Sequence, residues 1–168
     1  MYSKSKGTLL IGSLPVSKQM CTGMGISFQS LVSAMRERGF FCKSINTTPF
    51  PESKIVGKFS FLHVLEKLWV VLNIWFCMPR YKHIYNIISS SALGFWKDFL
   101  IIWPARMLGK RVVLHLHGGG YKDFFYKQPA TYRFIIEKTL SKASLIIVLD
   151  DLLREQFDFI KHQKHLYV

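Results

Sequence analysis

A strand pattern that runs directly into three glycines limits this chain more than any other feature. Val112, Val113, Leu114 and Leu116 form a near-continuous apolar run ahead of His117, and Gly118, Gly119 and Gly120 follow at once. Such a run predicts a strand of a parallel sheet covered on both faces. His115 and His117 are two residues apart and so share one face of it. The glycines beyond present a backbone with no Cβ atoms to hold a ligand away. Open α/β sheets bind ligands outside the carboxyl ends of their strands. His117, Gly118 and Gly119 are therefore the first candidates for chemistry, with His117 as the contact residue and His115 as a satisfied core histidine.

The rest of the chain alternates between the same two patterns. Residues 8–11 read as a first strand closed by Gly12, and 40–45, 83–88, 111–117 and 145–149 as further strands, with a sixth opening at His165. Between the first two, Phe28, Leu31, Val32 and Met35 fall on one helical stripe that ends at Gly39, a C-terminal cap glycine. Helices are predicted over 59–78, over 95–108 with a kink at Pro104, through Tyr132, Ile136, Leu140 and Ala143, and over 152–159. Residues 47–58, carrying Pro49 and Pro51, read as the one flexible connection. Strand–helix alternation with β-branched strands predicts an α/β fold: a Rossmann-like doubly wound, mostly parallel sheet with helices on both faces.

At 168 residues the expectation is a single domain spanning 1–168. The net charge of +13 favours anionic partners: nucleic acid, acidic lipid head groups or phosphorylated substrates. No common nucleic-acid recognition signature occurs, so no nucleic-acid partner is expected. Cys21, Cys42 and Cys77 are odd in number and widely spaced, which suggests neither a disulfide framework nor a metal pair but a reducing cytoplasm. The start imitates a secretion signal only loosely, since its apolar run is short and interrupted. Residues 59–78 approach the length of a membrane span, but Glu66 and Lys67 interrupt them and 68–78 is too short to cross. Trp69 and Trp75 are expected to pack inside, the alternative being a place at a lipid head-group boundary.

Gly23, Met24 and Gly25 open the first helix and make a candidate anion cradle, because unpaired N–H groups and the helix dipole favour a phosphate there. They match neither the dinucleotide fingerprint nor a nucleotide-triphosphate loop. The alternative is a turn without a ligand. His117-Gly118-Gly119-Gly120 resembles a lipase oxyanion segment, but no glycine follows Gly120, so the nucleophile elbow of those enzymes is missing. Asp150 and Asp151 suit helix caps, and Asp150 follows a strand as His117 does, which makes it a candidate for the same cleft. His162 and His165 have no metal-ligand spacing, and no metal site is expected.

Three segments together carry a family resemblance: the helix ending Arg36-Glu-Arg-Gly39, the run Leu108-Gly-Lys-Arg-Val-Val-Leu-His-Leu-His-Gly118, and Ala143-Ser-Leu-Ile-Ile-Val-Leu-Asp150. With the glycine loop, they resemble the N-terminal, acceptor-side domain of family 4, GT-B type glycosyltransferases over nearly the whole chain. The resemblance implies retaining transfer of a sugar from a nucleotide-sugar donor to a lipid-linked or saccharide acceptor, with no cofactor beyond that donor. It implies His117 as the catalytic contact, with Gly23, Met24, Gly25, Gly118, Gly119 and Asp150 binding substrate; Asp150 stands where a serine is common. It implies a place on the inner, anionic face of the cell membrane. The nucleotide-sugar domain of that family would follow Val168, so the expectation is one half of the architecture, inactive without a second domain or a separate subunit. The alternatives are a non-catalytic, membrane-associated binding or scaffolding module, or a truncated, inactive fragment.

Overall fold

A computed structural model describes residues 7–15, 22–48, 61–160 and 166–167. Residues 1–6, Cys21, most of the 47–58 connection, His162 and His165 lie outside the described residues. The chain divides into two compact units, Met1–Lys82 and His83–Val168. Both are α/β, every strand pairing within them is parallel, and the fold is of the Rossmann-like class that the alternation predicts.

In the first unit, β1 (Thr8–Gly12) pairs with β2 (Cys42–Asn46), Ile11 lying beside Ile45. Leu9, Leu10 and Ile11 are buried, as a strand of consecutive apolar residues requires. Helix α1 (Gly23–Glu37) joins them. Its first turn is capped by Thr22, whose Oγ1 accepts from the Gly25 N–H at 3.1 Å, and Phe28 and Val32 bury its apolar stripe. Gly39, at φ 73°, ends the helix as expected.

Helix α2 (Phe61–Cys77) follows, then one 3-10 turn, Met78–Arg80, at the predicted proline stop. Val70, Val71, Ile74, Cys77 and Met78 are buried. Trp69 and Trp75 are not: they are 58% and 41% exposed, so the expectation that they pack inside is overturned. Apolar residues surround the middle of this helix, and the hydrophobic pattern therefore does not say which side faces inward. Among the described residues no helix is long and apolar enough to cross a membrane.

The second unit holds β3 (His83–Ile87), α3 (Ala92–Met107), β4 (Arg111–Leu116), α4 (Tyr121–Tyr126), α5 (Ala130–Leu140), β5 (Leu145–Val148), a 3-10 segment (Asp151–Phe157) and β6 (Leu166–Tyr167). Its strands lie side by side in chain order, β3 to β6. Helix α3 runs through Pro104 to Met107, and Trp103 Nε1 donates to Thr139 Oγ1 of α5 at 3.1 Å. The last predicted helix is the 3-10 segment, and α4 was not anticipated. Alternate residues of β4 differ sharply: Val112, Leu114 and Leu116 are buried, whereas Val113, His115 and His117 beyond it are half-buried. Ile146 and Val148 of β5 are likewise buried, with Leu145 and Ile147 half-buried. The strand expected to be covered on both faces is thus closed on one side and partly open on the other.

Candidate functional site

The half-open side of β4 carries the two histidines. Their rings lie 3.9 Å apart between centroids, tilted by 38°. His115 Nδ1 is hydrogen-bonded to the Tyr85 hydroxyl, which projects from the neighbouring β3. The Ile88 N–H donates to the His115 carbonyl at 3.0 Å, which holds the end of β3 against the end of β4. The Nε2 atoms of both imidazoles are buried and have no hydrogen-bond partner among the described residues. A buried nitrogen in that condition is costly unless a ligand or water completes it.

Burial, with the neighbouring His117 as a smaller cause, lowers the His115 imidazole to about 4. Burial also lowers His117. Burial raises the Tyr85 phenol above the usual tyrosine range, so that group stays protonated. All three rings are therefore neutral near pH 7, hydrogen-bonding groups rather than charges. The reading of His115 as a satisfied histidine holds for Nδ1 and fails for Nε2.

The chain leaves β4 through Gly118, Gly119 and Gly120. A Cβ built on any of them meets nothing within 4 Å, and Gly120 takes a left-handed φ of 85°. That sharp turn delivers Tyr121, fully buried, as the first residue of α4. Tyr121 packs in an aromatic cluster with Phe124, Phe157 and Phe159. The Lys122 N–H donates to Gln156 Oε1 at 3.2 Å, and Lys122 Nζ pairs with Asp158 at 2.6 Å, so the 3-10 segment anchors the start of α4.

The Tyr121 hydroxyl has no hydrogen-bond partner among the described residues, and burial followed by the Asp98 charge raises its pKa. Removing an unpaired buried hydroxyl stabilises a fold, so Tyr121→Phe is expected to gain about 1 kcal/mol in urea unfolding with an unchanged far-UV spectrum. A loss of stability would show that this hydroxyl does have a partner.

Asp150 stands close to this edge in the fold. Leu116 is in register with Val148, so His117 and Asp150 leave the carboxyl ends of adjacent strands. The Asp150 carboxylate is exposed and accepts from the Leu152 N–H at 2.8 Å, which makes it the cap of the 3-10 segment. Asp151 pairs with Arg154 at 2.7 Å.

Gly23, Met24 and Gly25 belong to the first unit. The Gly25 N–H is already engaged by Thr22, while Gly23 and Met24 are exposed. Part of the candidate anion cradle is thus occupied by the protein's own cap. No group of three or more His, Cys, Asp or Glu suited to a metal ion occurs among the described residues.

Sequence reasoning missed one polar network behind the site. Asp98 of α3, fully buried, accepts from Asn86 Nδ2 at 2.8 Å and from the Ser89 N–H at 3.1 Å. Its neighbour Lys97 lies 3.0 Å from the same carboxylate. The network fixes the loop through Ser89 and Ser91, which leaves the carboxyl end of β3 beside His117. A lone acid inside the apolar run of α3 was its signal in the sequence. No protein-family model matches this sequence, and no curated protein matches it.

Proposed function

We propose that this chain is the acceptor-side domain of a GT-B type glycosyltransferase, working with a second nucleotide-sugar-binding domain or subunit. The observation that carries the reading is the unpartnered Nε2 of His117 at the carboxyl end of β4, one residue before glycines that leave open space. The His117 ring is half-buried, and a turn of it about χ2 would bring the buried Nε2 to a sugar hydroxyl, to donate or accept. Gly118 and Gly119 let a sugar ring approach the backbone closely. The Tyr85 hydroxyl at Nδ1 fixes the orientation of His115, and the adjacent ring packs His117 in place. In this reading the domain holds the acceptor and the reacting sugar, and the opposite domain stabilises the departing nucleoside diphosphate.

The reaction is retaining sugar transfer from a nucleotide-activated donor to a lipid-linked or saccharide acceptor. Residues 1–168 combined with a nucleotide-sugar-binding half are expected to support transfer, and His117→Ala to lower the kcat/KM of that combination by about 100-fold or more. Transfer that His117→Ala leaves unchanged would remove His117 from the site and favour a non-catalytic binding module.

A further inference from the structure

The exposed side of α2 carries a continuous apolar stripe. Leu65, Leu68, Trp69, Leu72 and Phe76 recur at the spacing of one helical face and are 44%, 49%, 58%, 51% and 75% exposed. Isolated exposed apolar side chains are ordinary; a row of five on one helix marks an interaction surface. The opposite side of α2, with Val70, Val71 and Ile74, is buried in the protein.

Exposed cations meet the stripe at its carboxyl end. The Arg80 guanidinium lies 5.5 Å from the centre of the Phe76 ring, and exposed Lys82 follows it. Lys67 and Lys43 are instead tied to the opposite side of α2, donating to the Thr47 carbonyl at 2.8 Å and to the buried Cys77 Sγ at 3.2 Å. Against these, Glu66 is the only acid among the described residues 61–82.

We infer that this face of α2 docks on an anionic lipid bilayer, lying in the head-group plane with Leu68, Trp69 and Leu72 dipping below it. Three observations choose this occupant over a second copy of the chain. Arg80, over the Phe76 ring, and Lys82 flank the apolar row at the carboxyl end of the helix, as cations flank an interfacial helix. Copies carrying a net charge of +13 repel one another, whereas acidic head groups attract them. The indole of Trp69, more than half exposed, suits the boundary between head groups and acyl chains. The buried opposite side rules out a transverse insertion, so the contact is one-sided. This inference does not rest on the sugar-transfer reading; it holds whether or not the chain ever meets a nucleotide sugar.

The experiment is flotation of the full chain with phosphatidylglycerol and with phosphatidylcholine vesicles, together with tryptophan quenching by brominated phosphatidylglycerol. The wild type is expected to float with the acidic vesicles, to be released by about 0.5 M salt, and to be quenched. Leu68→Ser with Leu72→Ser should lower partitioning about ten-fold or more, since both side chains leave water on binding. Both are exposed, so an unchanged circular dichroism spectrum and melting temperature are expected, and Trp69→Phe should remove most of the quenching without unfolding the chain. Equal flotation of the double variant and the wild type would overturn the proposal in favour of a charge-only contact. Absence of flotation with a wild-type dimer that the double variant abolishes would overturn it in favour of a second copy, and absence of both would overturn it outright.

Discussion

Asp98→Ala is expected to destabilise the protein by about 3–5 kcal/mol, the range seen when one partner of a buried ion pair is removed. Three groups depend on this carboxylate. Asn86 Nδ2 and the Ser89 N–H lose their acceptor, and Lys97, only 11% exposed, loses its counter-ion. Against the 5–15 kcal/mol that typically separates folded from unfolded states, such a loss approaches collapse at physiological temperature. Asp98→Asn retains one oxygen acceptor and should cost about half as much. Urea unfolding of the three proteins measures both effects, and a cost below about 1 kcal/mol for Asp98→Ala would mean the network is not what holds the β3–α3 loop. The functional corollary is that Asp98 positions Ser89 and Ser91, although it touches no ligand itself.

The second large effect is a loss of stability in acid. His115 takes up a proton at about 4 in the folded chain and near the ordinary histidine value of roughly 6.5 when unfolded. Between those values the unfolded chain binds more protons than the native one, so stability rises with pH across that interval. The contribution is fully present above roughly pH 6.5 and is lost as pH falls toward 4. His117, lowered by the same burial, acts in the same direction. Because His115 is only half-buried, screening reduces the full linkage value to about 1–2 kcal/mol. The check is urea unfolding at pH 7 and at pH 4.5 for the wild type and His115→Asn. The variant should show a shallower fall, and equal slopes would place the imidazole in water.

The elements legible in the sequence were those with a one-dimensional signature. Strands β1 and β4 announced themselves as consecutive apolar residues, and Gly39 marked the end of α1. Three features were not legible, each for a physical reason. Helix α4 is short and almost wholly aromatic, Tyr121-Lys-Asp-Phe-Phe-Tyr126, so it has no helical period to detect; its start is set by the left-handed turn at Gly120 and by its anchor on the 3-10 segment. The outward side of α2 was hidden because apolar residues circle the helix, and only tertiary packing chooses between Val70 and Trp69. The covering of β4 depends on what lies over each face, which the strand's own residues do not record. Of the candidate site, His117 with its glycines was readable from position alone. The Tyr85 contact and the Asp98 network were not, because they join residues from separate elements.

One consequence of the loop after β4 concerns what can be attached to it. The backbone dictates glycine at position 120, through its positive φ, whereas side chains at 118 and 119 would point into open space. Two adjacent positions beside His117 therefore accept a small thiol-bearing side chain at no steric cost. A fluorophore or spin label anchored there would sit at the edge of the sheet as a local reporter of anything that comes to rest against it.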